Sequence, residues 1–213
     1  KIIITFVDQN VYKCEIIDIA TEGIELSLVE KIDIDTELPQ HITICSGLIK
    51  ADKYEWMLQK STELGANHFI AAGMKRSVVK LNDSKIDKKL ERWQKIIKEA
   101  AEQSYRLAIP SITYEASLKV VCDYIDEYDY VLIAYENAAK TGETHNFKSV
   151  VREMKSGDHV LVIFGPEGGL SEDEVALFDG KAYQIGLGPR ILRAETAPLY
   201  VLSAVSFEKD LLD

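Results

Sequence analysis

Metal-ligand and disulfide patterns are missing from this chain. Its three cysteines, Cys14, Cys45 and Cys122, lie far apart with no CxxC pair, and the histidines His41, His68, His145 and His159 show no ligand spacing with them. A metal site is therefore not expected, and scattered unpaired thiols suit a reducing, cytoplasmic compartment. No apolar run approaches the roughly 20 residues of a membrane-crossing helix, and no signal-peptide pattern stands at the start. Internal repeats and low-complexity tracts are absent too. Positive charge is scarce: 25 Lys+Arg against 35 Asp+Glu give a net −10, which by itself argues against a nucleic-acid partner. The first residue is Lys1 rather than methionine, so some N-terminal sequence is expected to be missing.

What is present reads as an ordinary globular protein. Of 213 residues, 46% are hydrophobic and 28% charged, enough for one generous domain or a domain with a small appendage. The charge is unevenly spread. Residues 50–106 hold 13 Lys+Arg against 8 Asp+Glu, a basic window inside an acidic chain. Such a window can form a phosphate-attracting face, although Lys-rich helix surfaces are also common.

Residues 1–38 read as β structure. The run 2–7 looks like a buried strand; 12–19 and 24–29 are strand-like and separated by the turn signal Thr21-Glu22-Gly23. Pro39 ends this module. Beyond it, strands and helices alternate. A short strand at 42–45 is followed by Asp52-Lys-Tyr-Glu55, spaced like a capping box, and by Gly65 where a helix cap belongs. A strand at 69–72 precedes Ile86, Leu90, Trp93, Ile97, Ala100 and Ser104, one face of a long helix that Pro110 closes off. Strands recur at 130–135, 159–164 and 182–185, and a final helix spans 197–212 with Pro198 in its first turn. Alternation of this kind predicts a mostly parallel α/β sheet covered on both faces.

Ligands of parallel sheets bind at the carboxyl ends of the strands. Three such ends carry unusual loops. Ala134-Tyr135-Glu136-Asn137 says little alone. Phe164-Gly165-Pro166-Glu167-Gly168-Gly169-Leu170 runs into Ser171-Glu172-Asp173-Glu174, where Ser171 and Glu174 have capping-box spacing. This is neither a Walker loop nor a dinucleotide fingerprint, and Glu167 would repel a pyrophosphate. A ligand without phosphate but with an adenosine and a cationic centre, such as S-adenosylmethionine, fits better; a plain strand–turn–helix corner is the alternative. The third loop, 186–197, places Arg190, Arg193 and Glu195 beside the Gly188-Pro189 corner, and such charges are costly to bury without a purpose.

FGPEGGLSEDEV followed by LGPRILRAETA resembles the paired signature of the ribosomal RNA small subunit methyltransferase E family, of the SPOUT superfamily. Similarity extends to Lys60-Ser-Thr-Glu-Leu-Gly65, Arg76-Ser-Val-Val-Lys80, Glu91-Arg92-Trp93 and the segment 99–106, so it covers roughly residues 40–213. The resemblance implies a SPOUT-type mostly parallel sheet with a C-terminal trefoil knot (residues 39–213). It also implies a PUA-like RNA-binding β module, of which residues 1–38 would be the latter part. It further implies a homodimer, S-adenosylmethionine as cofactor, and methylation of uridine N3 in small-subunit (16S) ribosomal RNA. A related enzyme acting on a ribose 2′-hydroxyl or a tRNA base, or a catalytically silent RNA-binding protein of the same fold, are the alternatives.

On that resemblance, cofactor contacts are expected from Tyr135, Glu136, Gly165, Pro166, Glu167, Gly168, Gly169, Leu187, Gly188, Ile191 and Leu192. Arg193 is the candidate for steadying charge on the uracil oxygens, and Glu195 for taking or relaying the N3 proton. A capping or salt-bridging Glu195, with hydroxide removing the proton, is the rival. Arg76, Lys80, Arg92 and Arg106, all in the basic window, are candidates for phosphate contacts.

Overall fold

The computed structural model describes residues 1–136, 143 and 145–212. Its N-terminal part is an antiparallel meander of β1 (Ile2–Thr5), β2 (Val11–Ala20) and β3 (Gly23–Ile32). Thr21 and Glu22 make the β2–β3 turn, as their sequence signals. The expectation of a buried strand over 2–7 does not hold. β1 stops at Thr5, Ile3 is 56% exposed and Val7 fully so; within the meander only Val11 and Cys14 are buried. An apolar run specifies extended backbone, but burial requires a second layer that the run itself does not supply.

The rest of the chain is a three-layer α/β sandwich. β4 (His41–Gly47), α1 (Ala51–Glu63), β5 (His68–Ala72), α2 (Asp83–Gln103), β6 (Ser111–Glu115), α3 (Leu118–Cys122) and β7 (Tyr130–Ala134) come first. They are followed by α4 (Asn146–Glu153), β8 (His159–Phe164), α5 (Glu172–Ala176), β9 (Tyr183–Ile185) and α6 (Ala197–Asp210). The six strands lie in the order β6-β5-β4-β8-β7-β9, and every neighbouring pair is parallel. Period-two alternation sorts their side chains between the faces. Ile44, Leu132, Val160 and Val162 point into one core with Tyr54, Leu58, Trp93, Ile97 and Val201 of the helices α1, α2 and α6. Cys45, Ile133, Leu161 and Ile163 point into the other, with Leu118, Val121, Val175 and Phe178. Both faces are covered, so the strands read as continuous apolar runs.

The long helix presents the expected stripe inward: Trp93, Ile97 and Ala100 are buried. Gly65, at φ +98°, follows the α1 cap, and its N–H donates to the Thr62 carbonyl at 3.1 Å. The capping box expected at Asp52/Glu55 is absent. Lys50 caps α1 without a side-chain bond, and Glu55 is held instead by Arg92, which donates to its two oxygens at 2.6 and 2.7 Å. A long-range guanidinium offers two charge-assisted bonds where the local cap offers one. Strand β6 follows Pro110 directly and adds an edge to the expected strands; α6 ends at Asp210, two residues short of expectation.

β8 sits between β4 and β7. The chain leaves β4 towards β5, and leaves β8 across β7 to β9 at the edge. Connections therefore diverge on either side of the β4–β8 pair, and the carboxyl ends beside such a reversal form a crevice.

Candidate active site

Three loops meet in that crevice, around a cavity of about 540 Å³. The first leaves β7 through Tyr135 and Glu136; Asn137 lies outside the described residues. The Tyr135 N–H donates to the Ile185 carbonyl at 3.2 Å, so the first loop is tied to the strand that opens the third.

The second loop, 164–171, leaves β8. Gly169 has φ +69°, a region that glycine enters without a Cβ penalty, and its N–H donates to the Pro166 carbonyl at 2.8 Å. At Gly165 the requirement is space: a Cβ would stand 2.7 Å from the Leu170 nitrogen. The capping box read from the sequence is formed in full. The Glu174 N–H donates to Ser171 Oγ at 3.3 Å, and Glu174 Oε2 accepts from the Ser171 N–H at 2.9 Å. Glu174 Oε1 also accepts from the Lys75 N–H at 2.7 Å, which pins the loop to the segment after β5.

The third loop, 186–196, runs from β9 to α6. Gly188 turns it at φ +88°. Its far end is a tight turn in which the N–H groups of Thr196 and Ala197 donate to the Arg193 carbonyl at 2.9 and 3.0 Å. Arg193 is exposed at the rim of the cavity, whereas Glu195 is only 9% exposed. The Lys53 ammonium reaches Glu195 Oε1 at 2.9 Å, and Glu195 Oε2 has no hydrogen-bond partner among the described residues. Burial pushes the Glu195 carboxyl up. The Lys53 hydrogen bond and charge, with the nearby Arg193 guanidinium, outweigh it and hold the group below the usual carboxylate value.

All eleven residues expected around a cofactor, together with Arg193 and Glu195, line this one cavity. Ile191 stands at its edge, 77% exposed, an unusual position for so apolar a side chain.

The RNA methyltransferase domain family matches residues 36–206. The ribosomal RNA small subunit methyltransferase E of Bacillus subtilis is 46% identical over 201 residues, spanning 94% of this chain and 78% of that one. The chain belongs to the ribosomal RNA small subunit methyltransferase E family. Among solved structures, the family's Neisseria gonorrhoeae enzyme bound to S-adenosyl methionine is 27% identical with a TM-score of 0.77, covering 92% of this chain and 78% of the other. A putative methyltransferase of Legionella pneumophila in complex with the same cofactor is 26% identical, with a TM-score of 0.80 over 96% and 81% of the two chains.

Within this family framework the four basic candidates separate. Arg76 lines the cavity, and its guanidinium donates to the carbonyls of Gly168 (3.3 Å) and Leu170 (3.1 Å), bracing the glycine loop. Lys80 lines a second cavity nearby. Arg92 is engaged with Glu55. Arg106 is buried, its guanidinium bound to Glu37 and to the carbonyls of Thr62 (3.1 Å) and Ala66. Every side of that fork is turned inward, so the phosphate contact expected of Arg106 is not available in this structure.

Two residues of the site escaped the sequence reading. Lys53 left one trace: a cation in the first turn of a helix opposes the helix dipole, which its ion pair with Glu195 offsets. Glu143 left none. Its Oε2 accepts from the Gly186 N–H at 3.1 Å and its Oε1 from the His145 and Asn146 N–H groups at 2.7 and 2.6 Å. Burial raises the Glu143 carboxyl, but these three backbone donors and the His145 charge lower it further. The first residue of the third loop is thus anchored from a segment more than forty residues upstream.

Proposed function

We propose that the chain transfers a methyl group from S-adenosylmethionine to N3 of a uridine in small-subunit (16S) ribosomal RNA. The observation that carries this reading is the convergence of both C-terminal loops, with Arg193 and Glu195, on a single cavity beside the strand reversal. Its volume falls within the roughly 300–1,000 Å³ of small-ligand clefts. The lining suits the cofactor. Glycines at 165, 168 and 169 leave main-chain groups open to an adenosine, Leu187 and Leu192 give apolar walls, and Glu136 and Glu167 offer carboxylates to a cation and to ribose hydroxyls. No lysine–serine phosphate cradle follows the glycines.

Bound S-adenosylmethionine supplies an electrophilic methyl carbon on a sulfonium. The chain's own part is to position the uracil and favour its anionic form. Arg193, at the rim, places a two-pronged cation against the uracil oxygens, where charge grows as N3 loses its proton. Glu195, kept ionised by Lys53, is too weak a base to remove that proton. Its ion pair with Lys53 fixes the orientation of the third loop instead, while hydroxide takes the proton and Arg193 retains the anion.

The family likeness supports the finer architecture we propose: a trefoil knot formed by the segment after β8, a PUA-like module of which residues 1–38 are part, and a homodimer. Tyr200 and Phe207, both on α6 and both exposed, suit a subunit contact through that helix. None of the described helices is long and apolar enough to cross a membrane; a ribosomal RNA substrate supports a cytoplasmic location.

The test is nucleoside mass spectrometry of small-subunit RNA and ribosomal particles incubated with the protein and isotopically labelled cofactor. Label in 3-methyluridine is the expected result. Label in 2′-O-methylribose or in a base other than uridine would overturn the assignment. Absence of both label and calorimetric cofactor binding would reduce the chain to an RNA-binding relative.

A further inference from the structure

A second cavity of about 540 Å³ opens at the carboxyl ends of β5 and β6, and no role in the methyl-transfer site accounts for it. Its floor is apolar, with Leu48, Val79, Leu81 and Leu118, and Tyr114 adds an aromatic surface. Its charged groups differ in their commitments. Lys75 is paired with Asp173 at 2.6 Å, and Glu174 is occupied by the Lys75 and Ser171 N–H groups. Lys80 and Lys119 form no ion pair among the described residues, so the unbalanced charge at this cavity is positive.

Ser77 supplies the second observation. It lines the same cavity, is 8% exposed, and its Oγ has no hydrogen-bond partner among the described residues. A buried hydroxyl without a partner is costly to the folded state, and a ligand that bonds to it removes the cost.

The two cavities share a wall. Arg76 lines the first and braces Gly168 and Leu170, while its neighbours Lys75 and Ser77 line the second. On the next element, Glu172 borders the first cavity, and Asp173 and Glu174 the second. The two cavities are therefore lined by adjacent residues of the same two segments.

We propose that this second cavity is a nucleotide subsite that receives the residue of the RNA next to the target uridine. The base lies against the apolar floor and Tyr114, Ser77 Oγ bonds to a polar edge, and Lys80 and Lys119 meet the phosphate. The inference rests on the RNA methyltransferase reading and adds a specificity determinant to it.

The experiment measures binding to the full chain, saturated with S-adenosylhomocysteine, of three probes: inorganic phosphate, the four nucleoside 5′-monophosphates, and trinucleotides with a central uridine. Three proteins are compared: the wild type, the double variant Lys80→Ala/Lys119→Ala, and Ser77→Ala. Trinucleotides are expected to bind tightest. The double variant should weaken them roughly tenfold and flatten the salt dependence by about two phosphate contacts. Ser77→Ala should weaken them several-fold and alter the preference among flanking bases. Its thermal stability should be unchanged or higher, where a merely structural serine would lose stability. S-adenosylhomocysteine affinity should stay unchanged in both variants. Equal trinucleotide affinity in all three proteins would overturn the subsite. Phosphate binding as tight as nucleotide binding would remove base recognition, and monophosphates binding as tightly as trinucleotides would point to a free nucleotide rather than RNA. Failure of the methyltransferase reading shows separately, as loss of S-adenosylhomocysteine binding by the wild type.

Discussion

Single side chains in this protein are assigned their work by their neighbours. Arg193 and Arg106 are both arginines near glutamates, yet one is exposed at the cavity rim and the other is buried against Glu37. Arg193→Ala should lower methyl transfer about a hundredfold or more while leaving cofactor affinity nearly intact, as loss of a group that acts on developing charge does. Calorimetry beside a turnover assay separates the two; parallel losses would remove its catalytic role. Arg106→Ala should instead cost about 3–5 kcal/mol in denaturant unfolding, because it strands a largely buried carboxylate. The same pair predicts a pH dependence. Burial raises the Glu37 carboxyl, but Arg106 and the Leu107 and Ala108 N–H groups bring it below its ordinary 4.5. A depressed folded-state value stabilises the protein above about pH 4.5, and that contribution is lost as pH falls through the folded value. Unfolding free energies compared at pH 7 and pH 4 should show the decline, and Arg106→Ala should show less of it.

At the scale of elements, the second loop and α5 form one unit. Ser171 and Glu174 close the helix start, Glu174 ties it to Lys75, and Arg76 holds the loop carbonyls. Ser171→Ala should cost about 1 kcal/mol by removing the cap, read as a lower unfolding midpoint. Glycines of the loop differ in what they tolerate. A Cβ at Gly165 collides with backbone, so Gly165→Ala should open the loop and weaken cofactor binding at least tenfold; at Gly169 nothing lies within 4 Å, and only the positive φ resists. Gly169→Ala should therefore cost protein stability only about 1 kcal/mol. Equal affinity losses in the two variants would show that ligand crowding, not loop geometry, is limiting. The glycine pattern was legible in the sequence. Which glycine answers to crowding and which to φ was not, since that depends on what lies across the loop.

For the molecule as a whole, cofactor binding should raise thermal stability. Ligand at a hundred times its dissociation constant adds about 2.7 kcal/mol, equivalent to roughly 5–11 °C for a domain of this size. Differential scanning calorimetry with S-adenosylmethionine checks this. No shift at saturating ligand would exclude binding to the folded chain.

Local signals carried much of this fold and site. Alternating runs gave the parallel sheet because residues buried on both faces leave uninterrupted apolar strands, and glycine and capping patterns marked the loops because backbone conformation is decided within a few residues. Tertiary structure alone decided the rest. It sent Glu55 to Arg92 rather than to a cap, buried Arg106, left the 2–7 run exposed, and brought Lys53 to Glu195 across more than a hundred residues. Charged side chains choose partners through space, and the sequence records the charge but not the distance.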